Sequence, residues 1–218
     1  MLADPIIEHK ILTQWLSKFI GQSLTPHQFV HKLGIFLSRR HPITVRLEFN
    51  NNILGLNEFT IGGLYDVVRD EDKQKPLAFF FIMNHPADTP WLITEAIVDE
   101  LALELIEALV HEYQHLYQYR SRDYVLNRDY KSQSKDPKLK EDQEYLGQPD
   151  EIDAYATNIA VKFYLGNHGL SQTAKKFSLD LKNYYKAFGP QHPVIKQLIK
   201  KIIKKLENLE NHYTSTKI

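Results

Sequence analysis

The spacing of apolar residues changes from helical to β-like and back along the chain, and this order limits the possible folds more than any other feature. Two helical segments come first, at about 6–21 and 25–40. Helical spacing returns over about 89–120. Between them lie three β-rich segments, at 43–49 (ITVRLEF), 58–68 (EFTIGGLYDVV) and 76–84 (PLAFFFIMN). We therefore predict an α+β fold in which a small, mostly antiparallel three-stranded sheet is packed on a long helix.

The last third of the chain is predicted to be helical after a polar interruption. Residues 121–148 are charged and weakly periodic, which indicates a long loop of the kind that is usually functional or disordered. Pro149 opens a helix that stops at Gly166. Two further helices are expected at about 171–187 and 193–212, separated by the GPQHP segment. A chain of 218 residues fits one domain, and we predict a single domain over 1–218.

Composition narrows the classes of function. The 27 basic residues balance the 27 acidic ones, so charge gives no argument for a nucleic-acid partner. The absence of cysteine excludes disulfides and thiolate metal sites, which leaves His, Asp and Glu as the strong ligands. The N-terminal MLADPIIEHK does not resemble a secretory signal, and no stretch approaches the roughly 20 apolar residues of a membrane span. We expect a soluble cytoplasmic protein without a membrane span.

The segment HEYQH, residues 111–115, lies inside the long predicted helix and matches the pattern HExxH. Residues four apart project from the same helical face, so His111 and His115 can bind one metal ion while Glu112 acts as a base. On a helical wheel both histidines fall opposite an apolar arc centred near Leu105 and Leu109. The polar stripe that contains them is expected to line a cleft; its other members are Glu100, Glu104, Glu107 and Gln118.

A third ligand is expected from the acidic first turn of the helix that opens at Pro149. Glu151 and Asp153 both lie there. Either carboxylate could complete the site, although acids in a first turn also compensate the helix dipole without any other role. A site of histidine and carboxylate ligands without thiolates favours one Zn²⁺ ion per chain.

These residues resemble those of the gluzincins, zinc metallopeptidases of the thermolysin-like group in which HExxH is followed by a glutamate ligand on a later helix. The second motif of several intracellular branches is similar to the segment from Glu151 to Ala156, with matches at Glu151, Ala154 and Ala156. The resemblance therefore implies that Glu151, not Asp153, is the third ligand. The element order resembles that of compact phage and bacterial ImmA/IrrE-like peptidases. This resemblance implies a zincin-like fold. Where the family often has Asp or Asn, this chain has Tyr155.

Such a site would hydrolyse peptide bonds of a peptide or protein substrate. Three ligands leave a tetrahedral position for a water molecule, whose proton Glu112 takes and passes to the leaving amine. Tyr145, Tyr155 and His168 are candidate donors to the oxyanion, although packing or a solvated loop explains each equally. The apolar segment 76–84 could bind an extended peptide at a sheet edge, or it could be a buried central strand.

Two other functions remain open from the sequence. The first is a zincin-fold binding or regulatory protein in which the metal is structural or lost, although a base between the ligands argues against it. The second rests on the segment VIKQLIKKIIKKLENLE at 194–210, which is compatible with a helix at a membrane surface or on nucleic acid. For this helix, docking on the rest of the protein with solvated lysines is the alternative.

Overall fold

The computed structural model describes residues 4–50, 54–166 and 181–215. The chain divides into two compact units, Met1–Arg120 and Ser121–Ile218. The helix predicted at about 171–187 falls partly outside the described residues. The prediction of a single domain stays a prediction.

The described residues of the first unit form four α-helices, and the first two begin where the sequence predicts. Asp4 caps the first helix by accepting hydrogen bonds from the backbone N–H groups of Ile6 and Ile7. Thr25 and Gln28 form a reciprocal capping box at the second. The helices are α1 (Pro5–Leu16), which continues into a 3₁₀ turn (Ser17–Phe19), α2 (Pro26–Ser38), α3 (Val67–Glu71) and α4 (Glu95–Arg120).

The three predicted strands are present, but the sheet they form is mixed. They are β2 (Ile43–Phe49), β3 (Phe59–Tyr65) and β4 (Leu77–Met83), in the order β2-β4-β3. β4 pairs parallel with β2 and antiparallel with β3. The prediction of a mostly antiparallel sheet is therefore wrong for one of its two strand pairs. The apolar segment 76–84 supplies the central strand, so it offers no free edge to a peptide.

The long helix begins later than its apolar pattern suggests. Residues from Thr89 were expected to be helical, but β5 (Trp91–Leu92) pairs antiparallel with β1 (Ser23–Leu24). Helix α4 starts only at Glu95, after Thr94 Oγ1 accepts a hydrogen bond from the backbone N–H of Ile97. These residues pair with β1 and therefore do not join the helix. The periodicity of apolar residues gives no information about this strand pairing.

The core of the first unit lies between the sheet and its helices. α2 packs on β2, and α4 packs on α1, α3 and β3. The odd-numbered side chains of β4 are buried, from Leu77 to Met83. Further fully buried side chains come from α1, α2 and α4: Leu12, Leu16, Phe29, Leu33, Leu37, Leu101, Leu105 and Leu109. The apolar arc of α4 thus faces the core, as the helical wheel predicts.

In its described residues the second unit consists of helices and of a non-helical stretch at 121–136. Its helices are α5 (Pro137–Leu146), α6 (Pro149–Leu165), α7 (Lys182–Phe188) and α8 (Pro193–Ser215). The prediction of a loop over all of 121–148 is wrong for α5, which Asp136 caps by accepting a hydrogen bond from the backbone N–H of Leu139. Only Leu146 of this helix is buried, so it lacks the apolar stripe from which a helix is recognised.

Helix α8 packs its apolar face on α6. Five of its side chains are buried in the core of the second unit: Val194, Ile195, Leu198, Ile202 and Leu206. Lys201 and Lys205 extend to Asp153 on α6, with Nζ to Oδ1 distances of 2.9 and 3.2 Å. These contacts favour the docking alternative for this helix over the membrane-surface or nucleic-acid one. In the described part of the chain, no helix combines the length and apolarity needed to cross a bilayer.

Candidate functional site

The two histidines of HEYQH converge as the helical spacing predicts. His111 and His115 lie one turn apart in the middle of α4. Their Nε2 atoms are 3.1 Å apart, and their rings are nearly perpendicular. His115 is 7 % exposed. The pair therefore directs two nitrogen atoms toward one point on the surface of α4.

Gln118 orients the second histidine. Its Oε1 lies 3.1 Å from Nδ1 of His115, and its side chain is buried. An amide oxygen can only accept, so Nδ1 carries the proton and Nε2 of His115 keeps its lone pair. A hydrogen bond that fixes the tautomer in this way is a common feature of metal-binding histidines. The sequence pattern placed Gln118 in the same polar stripe but gave it no role.

The geometry of the histidine pair fits a zinc ion. Two nitrogen ligands about 2.1 Å from a tetrahedral zinc are about 3.4 Å apart. The observed separation of the two Nε2 atoms, 3.1 Å, requires only a small adjustment of the rings. His115 also offers its lone pair on the required nitrogen. These two residues are thus able to hold the metal that HExxH implies.

Glu112 lies against the backbone of β3. Although it is an acidic residue, Glu112 is only 6 % exposed. A Cβ atom built on Gly63 would lie 2.5 Å from Oε1 of Glu112, so the carboxylate uses the space that the missing side chain leaves. Gly63 itself is exposed. Glu112 therefore lies beside an accessible stretch of main chain.

This stretch of main chain is the unpaired side of an edge strand. Among the described residues β3 pairs with β4 alone. Asp66 N donates to Pro76 O and Asn84 N donates to Glu58 O, so the even-numbered positions of this strand face β4. Ile61 and Gly63 consequently direct their N–H and C=O groups away from the sheet. An extended peptide could pair with this edge next to Glu112.

Glu104 occupies part of that edge. Its Oε2 accepts a hydrogen bond of 2.8 Å from the backbone N–H of Ile61. Burial raises the pKa of Glu104 from 4.5 to about 7, and the nearby charges of Glu100 and Glu107 act in the same direction. The hydrogen bonds from Ile61 and Thr60 oppose this rise. Glu104 thus ties α4 to β3 two turns before the histidine pair.

The acids at the start of α6 have different partners. Asp150 binds Arg122 in a bidentate pair with distances of 2.8 and 2.5 Å. Asp153 accepts hydrogen bonds from Lys201 and Lys205, and although burial opposes them these cations lower its pKa below 3.8. Asp153 is therefore committed to α8, which argues against it as a metal ligand.

Glu151 is the acid of this turn that the sequence favours as the third ligand. It lies in the first turn of α6, in the second unit, and its residue is half-buried. Its role as the third ligand stays a prediction.

The candidate oxyanion donors are less well defined. Tyr155 packs on Tyr184, with ring centroids 5.3 Å apart, at the margin of the core of the second unit. Tyr145 is 52 % exposed. His168 lies outside the described residues. A role for any of the three in stabilising an oxyanion stays a prediction.

A buried polar network holds α4 from the side of α1. Glu8 forms a bidentate pair with Arg40 and a hydrogen bond of 3.0 Å with Nε2 of His41. Nδ1 of the same imidazole lies 3.1 Å from the hydroxyl of Tyr113, which stands between His111 and His115 in sequence. Sequence reasoning gave His41 no role, since its partners are distant along the chain.

The C-terminal end of α4 is fixed by a second buried carboxylate. Asp70 is bound by Arg120 in a bidentate pair with distances of 2.9 and 2.6 Å. The hydroxyl of Tyr65 donates to the same carboxylate at 3.0 Å. α3, β3 and α4 therefore meet at Asp70, and the helix that carries the histidines is held at its end as well as at its middle.

Comparison with protein-family models, with curated proteins and with solved structures gives no match to this chain. The functional argument therefore depends on the geometry described above.

Proposed function

We propose that the protein is a zinc-dependent metallopeptidase with a zincin-like site, in which His111, His115 and Glu151 bind zinc and Glu112 is the general base. One observation carries the proposal. The Nε2 atoms of the two histidines are 3.1 Å apart, and the glutamate between them in sequence is buried beside an accessible strand edge. A purely structural zinc site would have no use for this carboxylate.

Each residue has a defined task in the reaction. Zinc supplies a Lewis acid that polarises the scissile carbonyl and lowers the pKa of a water molecule to roughly 7. Glu112 accepts the proton of the attacking water and delivers it to the leaving amine. Gln118 keeps the proton of His115 on Nδ1, so that Nε2 remains a ligand.

The edge of β3 supports a peptide as the substrate. Gly63 is exposed and directs its main-chain groups away from the sheet, within reach of the carboxylate of Glu112. A substrate in extended conformation would pair with these groups and present its carbonyl beside the base. This arrangement favours a peptide or protein substrate over a small amide.

Peptide hydrolysis by the zinc-loaded protein tests the proposal. Wild type should cleave members of a mixed peptide library, and a chelator should abolish cleavage. Glu112→Gln should retain zinc but lose at least about 10³-fold in kcat, since the proton acceptor is gone. Glu100→Gln, which changes an exposed glutamate of the same helix, is the matched control and should remain active.

Two results would contradict the proposal. Equal activity of Glu112→Gln and wild type would show that Glu112 is not the general base. A wild-type protein that binds zinc without cleaving any peptide would instead favour the alternative of a zincin-fold binding or regulatory protein.

A further inference from the structure

We propose that Gly63 is a positioning residue for Glu112, because the absence of a side chain at this position provides the space that the carboxylate occupies. This inference rests on the proposed function of Glu112 as the base. It adds a residue outside the HExxH and Glu151 segments, on a strand that precedes them by about fifty positions in sequence.

The contact is too close for any side chain. A Cβ atom on Gly63 would lie 2.5 Å from Oε1, 2.8 Å from Cγ and 3.0 Å from Cδ of Glu112. Cβ atoms in proteins do not approach other atoms so closely, so an alanine at position 63 must displace the carboxylate. Glu112 is 6 % exposed, which restricts the directions in which it can move.

The neighbouring glycine shows that this restriction is specific to position 63. A Cβ atom on Gly62 would meet Cβ of Phe80 at 3.7 Å, which is ordinary van der Waals contact. Neither glycine has a positive φ, so the backbone at both positions accepts alanine. Gly62→Ala is therefore a matched control, with the same change in the same strand but without the contact to Glu112.

The displacement is large enough to affect catalysis. Moving Oε1 of Glu112 from 2.5 Å to an ordinary contact of 3.4 Å shifts it by about 1 Å. A base must lie within hydrogen-bond distance of the proton it accepts, and a misplacement of about 1 Å can lower a rate on the order of 100-fold. The histidines are not part of this contact, so zinc binding should be unchanged.

The first test measures the steric contact between position 63 and Glu112 through thermal stability, and it does not depend on catalytic activity. Thermal unfolding is followed for the full-length chain as wild type, Gly62→Ala, Gly63→Ala, Glu112→Ala and Gly63→Ala/Glu112→Ala. Gly63→Ala should lower the Tm by about 3 °C or more, whereas Gly62→Ala should not. In the Glu112→Ala background, Gly63→Ala should not lower the Tm, because the carboxylate that the new methyl group would displace is absent.

Every outcome of this cycle is informative. An equal loss of Tm in both backgrounds, or no loss in either, would overturn the inference. If Gly63→Ala does not fold, recovery of folding in the double variant supports the inference and its failure contradicts it.

The second test measures catalysis by the zinc-loaded proteins on a peptide that wild type cleaves. Gly63→Ala should bind one zinc ion per chain, keep its KM and lose on the order of 100-fold in kcat, while Gly62→Ala stays near wild type. A raised KM with unchanged kcat would mean that the new methyl group excludes substrate, and this would overturn the positioning role. Wild type without activity would instead overturn the proposed function, while the unfolding cycle still decides whether Gly63 and Glu112 compete for the same space.

Discussion

At the scale of single residues, His115 has a hydrogen-bond partner outside the HExxH pattern. Gln118 lies three positions after His115, so helical spacing brings the two side chains to the same side of α4. Where gluzincins often have Asp or Asn, this chain has Tyr155, so the support that the family gives to a metal histidine must come from elsewhere or be absent. The side-chain amide of Gln118 is in a position to give such support to His115.

We expect Gln118→Ala to weaken zinc binding by about 10- to 100-fold, because the ring of His115 loses the acceptor that fixes its tautomer. Competition with a chromophoric chelator measures this affinity. Gln118→Glu keeps an acceptor for Nδ1 and should bind zinc at least as tightly as wild type. An unchanged affinity in Gln118→Ala would show that the hydrogen bond at 3.1 Å does not orient a ligand.

Glu104 gives a prediction about pH. Because its pKa is raised from 4.5 to about 7, the folded protein holds a proton between these values that the unfolded chain has lost. The contribution of Glu104 to stability therefore falls as pH rises from about 4.5 to about 7. Glu104→Gln keeps an acceptor for Ile61 and removes the charge.

Above pH 7 this variant should exceed wild type in free energy of unfolding by on the order of 1–3 kcal/mol, after allowance for partial exposure. Below pH 4.5 the two proteins should have the same free energy of unfolding. Denaturant titrations at pH 4.5 and pH 8 measure the difference. A wild type that is more stable than Glu104→Gln at pH 8 would mean that the hydrogen bond to the charged carboxylate outweighs the cost of its burial.

At the scale of elements, α4 is held in place by polar contacts that no local pattern predicts. Glu8 is buried, and burial acts to raise its pKa, but hydrogen bonds and charges from Arg40 and His41 lower it below 4.5. The charged carboxylate thus stabilises the fold above about pH 4.5, and this contribution is lost as pH falls through the lowered pKa.

We expect Glu8→Ala to lower the free energy of unfolding at pH 7 by on the order of 3 kcal/mol, since it leaves His41 and Arg40 without their acceptor. Tyr113→Phe removes one hydrogen bond of the same network and should cost only about 1 kcal/mol. Chemical denaturation of both variants gives these values. Equal losses in the two variants, or a Glu8→Ala effect that does not shrink below pH 4.5, would be inconsistent with this network.

Some boundaries of the helices can be predicted from the sequence and others cannot. Capping residues locate the starts of α1 and α2, because Asp4 and Thr25 act on backbone groups within three positions. The start of α4 depends instead on a strand pair with Ser23–Leu24, about seventy positions away. α5 has the same kind of signal as α2, an N-cap followed by proline, but the apolar stripe that would have identified it is missing.

At the scale of the whole molecule, the sequence specifies the α+β class and the order of the strands along the chain, but not their directions. Three β-like segments between helices are compatible with several pairings. β2 and β4 become parallel neighbours because β3 and α3 lie between them in sequence and allow the chain to return. The placement of His111 and His115 on one face of α4 was easier to predict, since HExxH encodes it within one turn of helix.

The roles of Gly63 and Glu8 could not be predicted in this way, because their partners are distant in sequence. Gly63 lies against Glu112 of α4, and Glu8 is linked to Tyr113 of α4 through His41. A glycine pair in a strand indicates close approach of another group but does not identify that group. The zincin-like character of the fold stays a proposal that depends on the metal.

The zinc content of the purified chain tests the central claim most directly. Elemental analysis of wild type, Glu112→Ala, His111→Ala and Glu151→Ala, with Asp153→Ala as the control from the same turn of α6, separates the ligands from the base. We predict one zinc ion per chain in wild type, Glu112→Ala and Asp153→Ala, weakened binding in Glu151→Ala and none in His111→Ala. No zinc in wild type after reconstitution, or equal zinc in wild type and His111→Ala, would contradict the account.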